Sequence, residues 1–204
     1  MVTVGFVVEG ASEKRLVESE LFRKWLREDC NLEVVDPVVD AAGNGNMCSH
    51  NIETFVRNLR TIANPDKVVV LADLDPDTCA PCVQKRKEII GFQGIDLVTI
   101  AKKAMESWFL ADTKAMRQWL GDDTFYETHP ETLDEMPWDR LKELRTQKGR
   151  GPGATKLSFA RKFIHVHGFD VRRAARHSQC PSARYFVEHL CALGSPQGPE
   201  PERP

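Results

Sequence analysis

Glu9, Asp73 and Asp75 are the residues whose types and spacing could do chemistry. The apolar run "TVGFVV" delivers Glu9 to the point where the run stops and Gly10 follows, and "KVVVLA" leads into Asp73 and Asp75. Residues two apart on a strand share a face, so Asp73 and Asp75 can converge on one ion while Glu9 supplies an oxygen from the side. Glu13 lies one helical turn after Glu9 and could turn back to the same place, and Glu106 opens the helix that follows the fourth strand. These five carboxylates, brought to one sheet edge, repel one another unless cations neutralise them. Hard oxygen donors of this kind suit Mg²⁺ or Mn²⁺.

The elements that must position them read as strands alternating with helices. "TVGFVVE" is apolar on both faces, which fits a central parallel strand. Ser12 is the expected N-cap of one helix through "EKRLVESELFRKWLRE", with Leu16, Leu21, Phe22, Trp25 and Leu26 on its apolar stripe. "LEVVDPVVD" reads as a second strand broken by Pro37, "KVVVLADLD" as a third and "DLVTIAKKA" as a fourth, with helices around "IETFVRNLRTIA" and "CVQKRKEIIGF" between them. Helical "MESWFLADTKAMRQWL" follows, and Trp108 and Phe109 beside Glu106 read as core anchors. This order implies an α/β fold, a Rossmann-like parallel sheet of about four strands flanked by helices. In such sheets ligands bind beyond the carboxyl ends of the strands, where the acidic residues stand. The segment from Gly121 to Pro137 is acidic and irregular, and "TKLSFARKFIHVHG" and "SARYFVEHLCAL" read as closing helices. One domain is expected over residues 1–193, with core motifs in 4–112 and a helical part in 138–193. Residues 194–204 have the composition of a disordered tail.

Composition narrows the setting. A formal net charge of -2 gives no global basic field, so any nucleic-acid binding must use a local patch. No apolar run approaches the roughly 20 residues that span a bilayer, and the N-terminus lacks a basic leader, so the expected setting is cytoplasmic with no membrane contact. The chain is large enough to do without disulfide staples, and all six cysteines are expected to be reduced.

The motifs "VVEGASE", "VLADLDPD" and "AMESWFLAD" resemble those of the Toprim superfamily, most of all the OLD-type nuclease domains and small Toprim-like proteins. The resemblance spans Val4 to Asp112 and is loose beyond. It implies a Toprim-like fold and divalent-metal-dependent phosphodiester chemistry on DNA or RNA. Glu9, Asp73 and Asp75 stand at the matching positions. Glu13, Glu106, Ser107 and a later lysine, with Lys156 as the candidate, would complete a two-metal set in which one metal activates water and the other stabilises the leaving oxygen. The chain carries no fused ATPase, so such a motor would act in trans. The alternative is a non-catalytic subunit that binds nucleic acid or nucleotide through the metal and works with an ATPase partner.

Two further groups stay open. Cys79 and Cys82 of "CAPC", with Cys48 and His50, could hold zinc if their loops meet, but a CxxC at a helix start is often two reduced thiols. "QKGRGPGATK" carries Lys148, Arg150 and Lys156 in a glycine-rich loop ahead of a helix, where they could receive phosphate. It is as readily a solvated connector. Arg172, Arg173, Arg176 and His177 could extend a basic track or form a wet helix face.

Overall fold

Strands that are apolar at every position can be stable only when helices cover both faces of the sheet, and that requirement organises the chain. The computed structural model describes residues 1–74, 82–91, 93–148 and 155–195. In chain order these form β1 (Val2–Val8), α1 (Ala11–Glu18), α2 (Glu20–Cys30), β2 (Leu32–Val34), β3 (Val39–Asp40), α3 (Ser49–Ala63), β4 (Lys67–Asp73), α4 (Val83–Ile90) and β5 (Leu97–Ala101). Helices α5 (Glu106–Ala111), α6 (Thr113–Leu120), α7 (Pro137–Gln147), α8 (Lys156–His165), α9 (Val171–Ala175) and α10 (Pro181–Leu193) follow. The sheet is parallel, in the order β2-β1-β4-β5, with β3 also paired to β1. The protein is therefore α/β, with the parallel sheet flanked by helices. The expected second strand is two short ones, β2 and β3, lying end to end along β1 on either side of the Asp36-Pro37 step.

Alternation divides the strand side chains between two cores. Phe6, Val8, Val69 and Leu71 join α1, α2 and the helices from α5 onward. Val7, Val68, Val70 and Ile100 meet Ile52, Val56 and Leu59 of α3 and Ile90 of α4. Gly5 falls on this second face, where a Cβ would lie 2.8 Å from Leu59 Cδ2 and 2.9 Å from Pro65 Cγ. Glycine at this position lets α3 approach the sheet.

Two helices expected to run continuously are broken, each by a side-chain acceptor. At Ser19 the backbone is extended, and its hydroxyl donates to the Leu16 carbonyl at 2.7 Å while accepting from the Phe22 N–H at 3.4 Å. The break changes the phase of the helix, so Phe22, Trp25 and Leu26 are buried while Leu21 is exposed. The start of α1 is also corrected: Gly10, rather than Ser12, is the N-cap residue. At Asp112 the buried carboxylate accepts from the Ala115 N–H and so starts α6. α7 and α9 are additions to the two closing helices read from the sequence.

Cys30 at the end of α2 and Cys191 in α10 form a disulfide, which overturns the expectation that every cysteine is reduced. The physical cause is the packing of α10 on α2, with Phe186 stacked on Phe22 and on Trp108. This brings the two Cα atoms to 4.5 Å across a sequence separation of 161. Gly194, assigned to the tail by composition, abuts the Cys30 carbonyl and accepts a hydrogen bond from Asn31 Nδ2 at 3.2 Å. Residues 196–204 of the expected tail lie outside the described residues. No helix among the described residues is long and apolar enough to cross a membrane.

The Gly5 contact gives the first prediction. Gly5→Ala should force Leu59 and Pro65 outward and destabilise the protein by about 1–3 kcal/mol, read as a lower urea midpoint at unchanged slope. A midpoint equal to that of the parent would mean that α3 does not sit this close to β1.

Candidate functional site

β1 and β4 lie side by side with Val8 opposite Leu71, so Glu9 and Asp73 leave the sheet together at its carboxyl edge. Both are buried. The Glu9 Oε2 atom accepts the Asp73 backbone N–H at 3.0 Å, and Asp73 Oδ1 accepts the Met105 N–H at 2.9 Å just before α5. Each carboxylate is thereby aimed by a backbone N–H from a later part of the chain.

Glu13 in α1 and Glu106 at the start of α5 are buried beside them. Burial pushes the Glu13 carboxyl up to about 7. Hydrogen bonds from the backbone at Glu13 and Gly10 oppose that rise, and the charges of Glu106 and Glu9 add to it. Lys156, the first residue of α8, places Nζ 3.7 Å from Glu106 Oε1. It gets there because α8 lies along α1 and because Thr155 and Ser158 form a reciprocal cap at the start of α8. The structure thus brings together Glu9, Glu13, Asp73, Glu106 and Lys156, five of the residues singled out from the sequence. Ser107 neighbours them, but its hydroxyl donates to the Lys102 carbonyl at 2.8 Å. Asp75 lies outside the described residues.

Arg86 of α4 was not anticipated. It is 3% exposed, and its guanidinium donates to Glu9 Oε2 at 3.2 Å, to the Asp73 carbonyl at 3.2 Å and to the Met47 carbonyl at 3.5 Å. One side chain therefore ties together the ends of β1 and β4 and the turn before α3. The available signal was its position. Val83, Arg86, Lys87 and Ile90 share one helical face, so two cations stand on a stripe that should be apolar.

The remaining candidates separate from this cluster. Lys148 pairs with Asp122 at 3.0 Å, and Arg150 lies outside the described residues. Arg172 is held by Asp170 and Asp29, and Arg173 makes two 2.8 Å hydrogen bonds to the buried Asp112 carboxylate. These arginines fasten α9 to α2 and α5. His177 is buried, accepting the Gln179 N–H on Nδ1 and placing Nε2 2.9 Å from the Glu127 carbonyl. Burial pushes its pKa down. That bonding pattern is a neutral imidazole with its proton on Nε2, a packing residue and not part of a basic track. His50 and Cys82 are exposed and Cys48 is half-buried, while Cys79 lies outside the described residues. Among the described residues no group of three or more His, Cys, Asp or Glu side chains is arranged to hold a metal ion.

No family model, curated protein or solved structure matches this chain. The site must therefore be read from its own chemistry. Buried carboxylate oxygens at a strand edge are hard donors, and loss of water around Glu13 is the main reason its carboxyl is raised. Such oxygens suit Mg²⁺ or Mn²⁺, and Glu9, Glu13, Asp73 and Glu106 are the side chains that would have to close on the ion, since they are not arranged around one here.

Two predictions follow from these interactions. Arg86→Met leaves the Glu9 charge buried without its partner and should cost about 3–5 kcal/mol, while Glu9→Gln in the same chain should restore part of the loss. Urea unfolding of the two single variants and the double variant checks this, and strictly additive losses would exclude the pairing.

Glu13 has its folded pKa above its unfolded one, so the folded protein holds the extra proton between about 4.5 and about 7. Stability should fall as pH rises through that window and level off above it, by at most about 3 kcal/mol. In EDTA, Glu13→Gln should therefore melt above the parent near pH 8, with the advantage fading towards pH 5. A pH-independent difference would show that Glu13 is not protonated by its surroundings.

Proposed function

We propose that this chain is a Toprim-like, divalent-metal-dependent nuclease that hydrolyses or transfers phosphodiesters in DNA or RNA. The observation that carries the reading is the convergence of buried Glu9, Glu13, Asp73 and Glu106 with Lys156 at the carboxyl edge of the sheet. Bound Mg²⁺ or Mn²⁺ would supply Lewis acidity at phosphoryl oxygens and a nucleophilic water near neutral pH.

The chain's own residues set the geometry around that chemistry. Glu9 and Asp73 are oriented by backbone N–H groups and by Arg86, so their oxygens are held before a ligand arrives. Lys156 is half-exposed, and its ammonium can leave Glu106 for a phosphate oxygen that gains charge in the transition state. The resemblance of "VVEGASE", "VLADLDPD" and "AMESWFLAD" to Toprim motifs supports the same assignment. An ATPase in trans and a cytoplasmic setting belong to this proposal. In that compartment the Cys30–Cys191 bond would be open to reduction.

One observation favours a second reading. The Arg86 guanidinium sits directly on Glu9 Oε2, where it supplies positive charge that a cation would otherwise bring. A non-catalytic subunit that binds nucleic acid or nucleotide would tolerate that arrangement.

Turnover separates the two. The pure protein is incubated with labelled single- and double-stranded DNA and RNA in Mn²⁺ and in EDTA. Cleavage should need the metal, and Asp73→Asn should lower turnover by more than about 100-fold. Lys156→Ala should lower kcat with little change in affinity, the pattern of a contact made mainly in the transition state. Metal-dependent binding without cleavage would favour the non-catalytic subunit. Cleavage that persists in EDTA, or survives Asp73→Asn unchanged, would remove the cluster from the reaction.

A further inference from the structure

A cavity of about 270 Å³ opens at the edge strand β5 between α4 and the start of α10. Ile100 and Lys102 line it, and the residue between them, Ala101, pairs with Asp73. It therefore borders the strand ends that carry the carboxylate cluster. On α4, adjacent residues divide between the two places, since Arg86 turns to Glu9 and Lys87 lines the cavity.

The walls are mostly apolar, formed by Val83, Ile100, Pro181 and the ring of Tyr185. Two buried charged groups interrupt them. The Lys87 ammonium, on a residue only 7% exposed, donates to the Tyr185 hydroxyl at 2.7 Å. Glu131 is 1% exposed and uses Oε1 alone to cap α10, accepting from the Ser182 hydroxyl at 2.5 Å, the Ser182 N–H at 3.0 Å and the Cys180 thiol at 3.1 Å. Its Oε2 is buried with no hydrogen-bond partner among the described residues. A carboxylate oxygen left in that state is costly, and in native structures it marks a missing donor.

We infer that this cavity binds one nucleobase. A base is a flat ring system that fits between apolar walls, and its edge offers an N–H donor beside a carbonyl or ring-nitrogen acceptor. A turn of the Glu131 carboxyl towards the cavity it lines would bring Oε2 to that donor, and the acceptor faces the positive charge of Lys87. The volume holds one heterocycle and little more. A zwitterion such as a free amino acid matches the charges but must leave two full charges desolvated between apolar walls, which disfavours it. The inference rests on the phosphodiester reading for its ligand: the base belongs to the nucleic-acid strand whose backbone passes the neighbouring carboxylates, or to a free nucleotide.

The test is calorimetric titration of the full chain in EDTA with uncharged nucleosides, with ribose 5-phosphate and glycine as controls. At least one nucleoside should bind saturably and the controls should not. Glu131→Gln keeps an oxygen for the α10 cap and turns the orphan acceptor into a donor, so it should weaken binding about 10-fold or more. Val83→Phe, which fills the cavity without touching the charged groups, should abolish it. Repeating the titration with homopolymeric oligonucleotides distinguishes the two sources, because a strand that binds more tightly than its own mononucleotide identifies the polymer.

Absence of saturable binding by every nucleoside overturns the inference. So does binding that neither variant alters. Because these titrations need neither metal nor turnover, nucleoside binding without cleavage would defeat only the nuclease reading. Cleavage without nucleoside binding would defeat only this one.

Discussion

The pairing of buried Arg86 with Glu9 is the contact on which the carboxyl edge of the sheet depends. Strand β1 ends on a carboxylate inside the protein, and an unpaired charge there would be strongly destabilising. Arg86 removes that difficulty and, through the Asp73 and Met47 carbonyls, fixes the spacing of three chain segments that are distant in sequence. The pair is less a source of net stability than a device that makes an acidic strand end tolerable and holds it in one orientation. Glu13 and Glu106 then sit against a framework already set, and Lys156 arrives from α8 on the far side of α1.

A second device recurs elsewhere in the chain. Ser19 and Asp112 each interrupt a helix, and in both places the side chain accepts the N–H that begins the next helix. Asp112 does more, because its carboxylate also accepts from Arg173 and from the Asp170 N–H. The same break therefore starts α6 and anchors α9. Short helices joined by such acceptors can wrap the curved side of a twisted sheet, where a single straight helix would leave contact.

Much of the sheet was legible because β1, β4 and β5 are apolar on both faces and stop at polar residues. Glu9 and Asp73 stood out for the same reason, since a carboxylate closing an apolar run has no packing role to explain it. The breaks at Ser19 and Asp112 were not legible, because either residue is equally compatible with a continuous amphipathic stripe. Arg86 was hidden between Lys85 and Lys87, where a cation reads as solvated unless the face it occupies is traced. Arg172 and Arg173 were misleading in the opposite direction. Their sequence cluster suggests a phosphate track, whereas Asp170 and Asp29 hold Arg172 and Asp112 holds Arg173. The Cys30–Cys191 bond depends wholly on tertiary packing, which spacing in the sequence does not encode.

Helix α10 has a consequence for how the chain acquires this shape during synthesis. It packs on β5 and on α2, beneath opposite ends of the sheet, and its Phe186 bridges Phe22 and Trp108. Ser182 near its start accepts from the Lys102 N–H just after β5, 80 residues earlier. When the five strands have left the ribosome, one apolar face of the sheet is covered only by α1 and α2 and still lacks the helices from α5 onward. The emerging protein must keep that face from other chains until α10 follows, so the interval between translating β5 and translating α10 is when a chaperone would have most to hold.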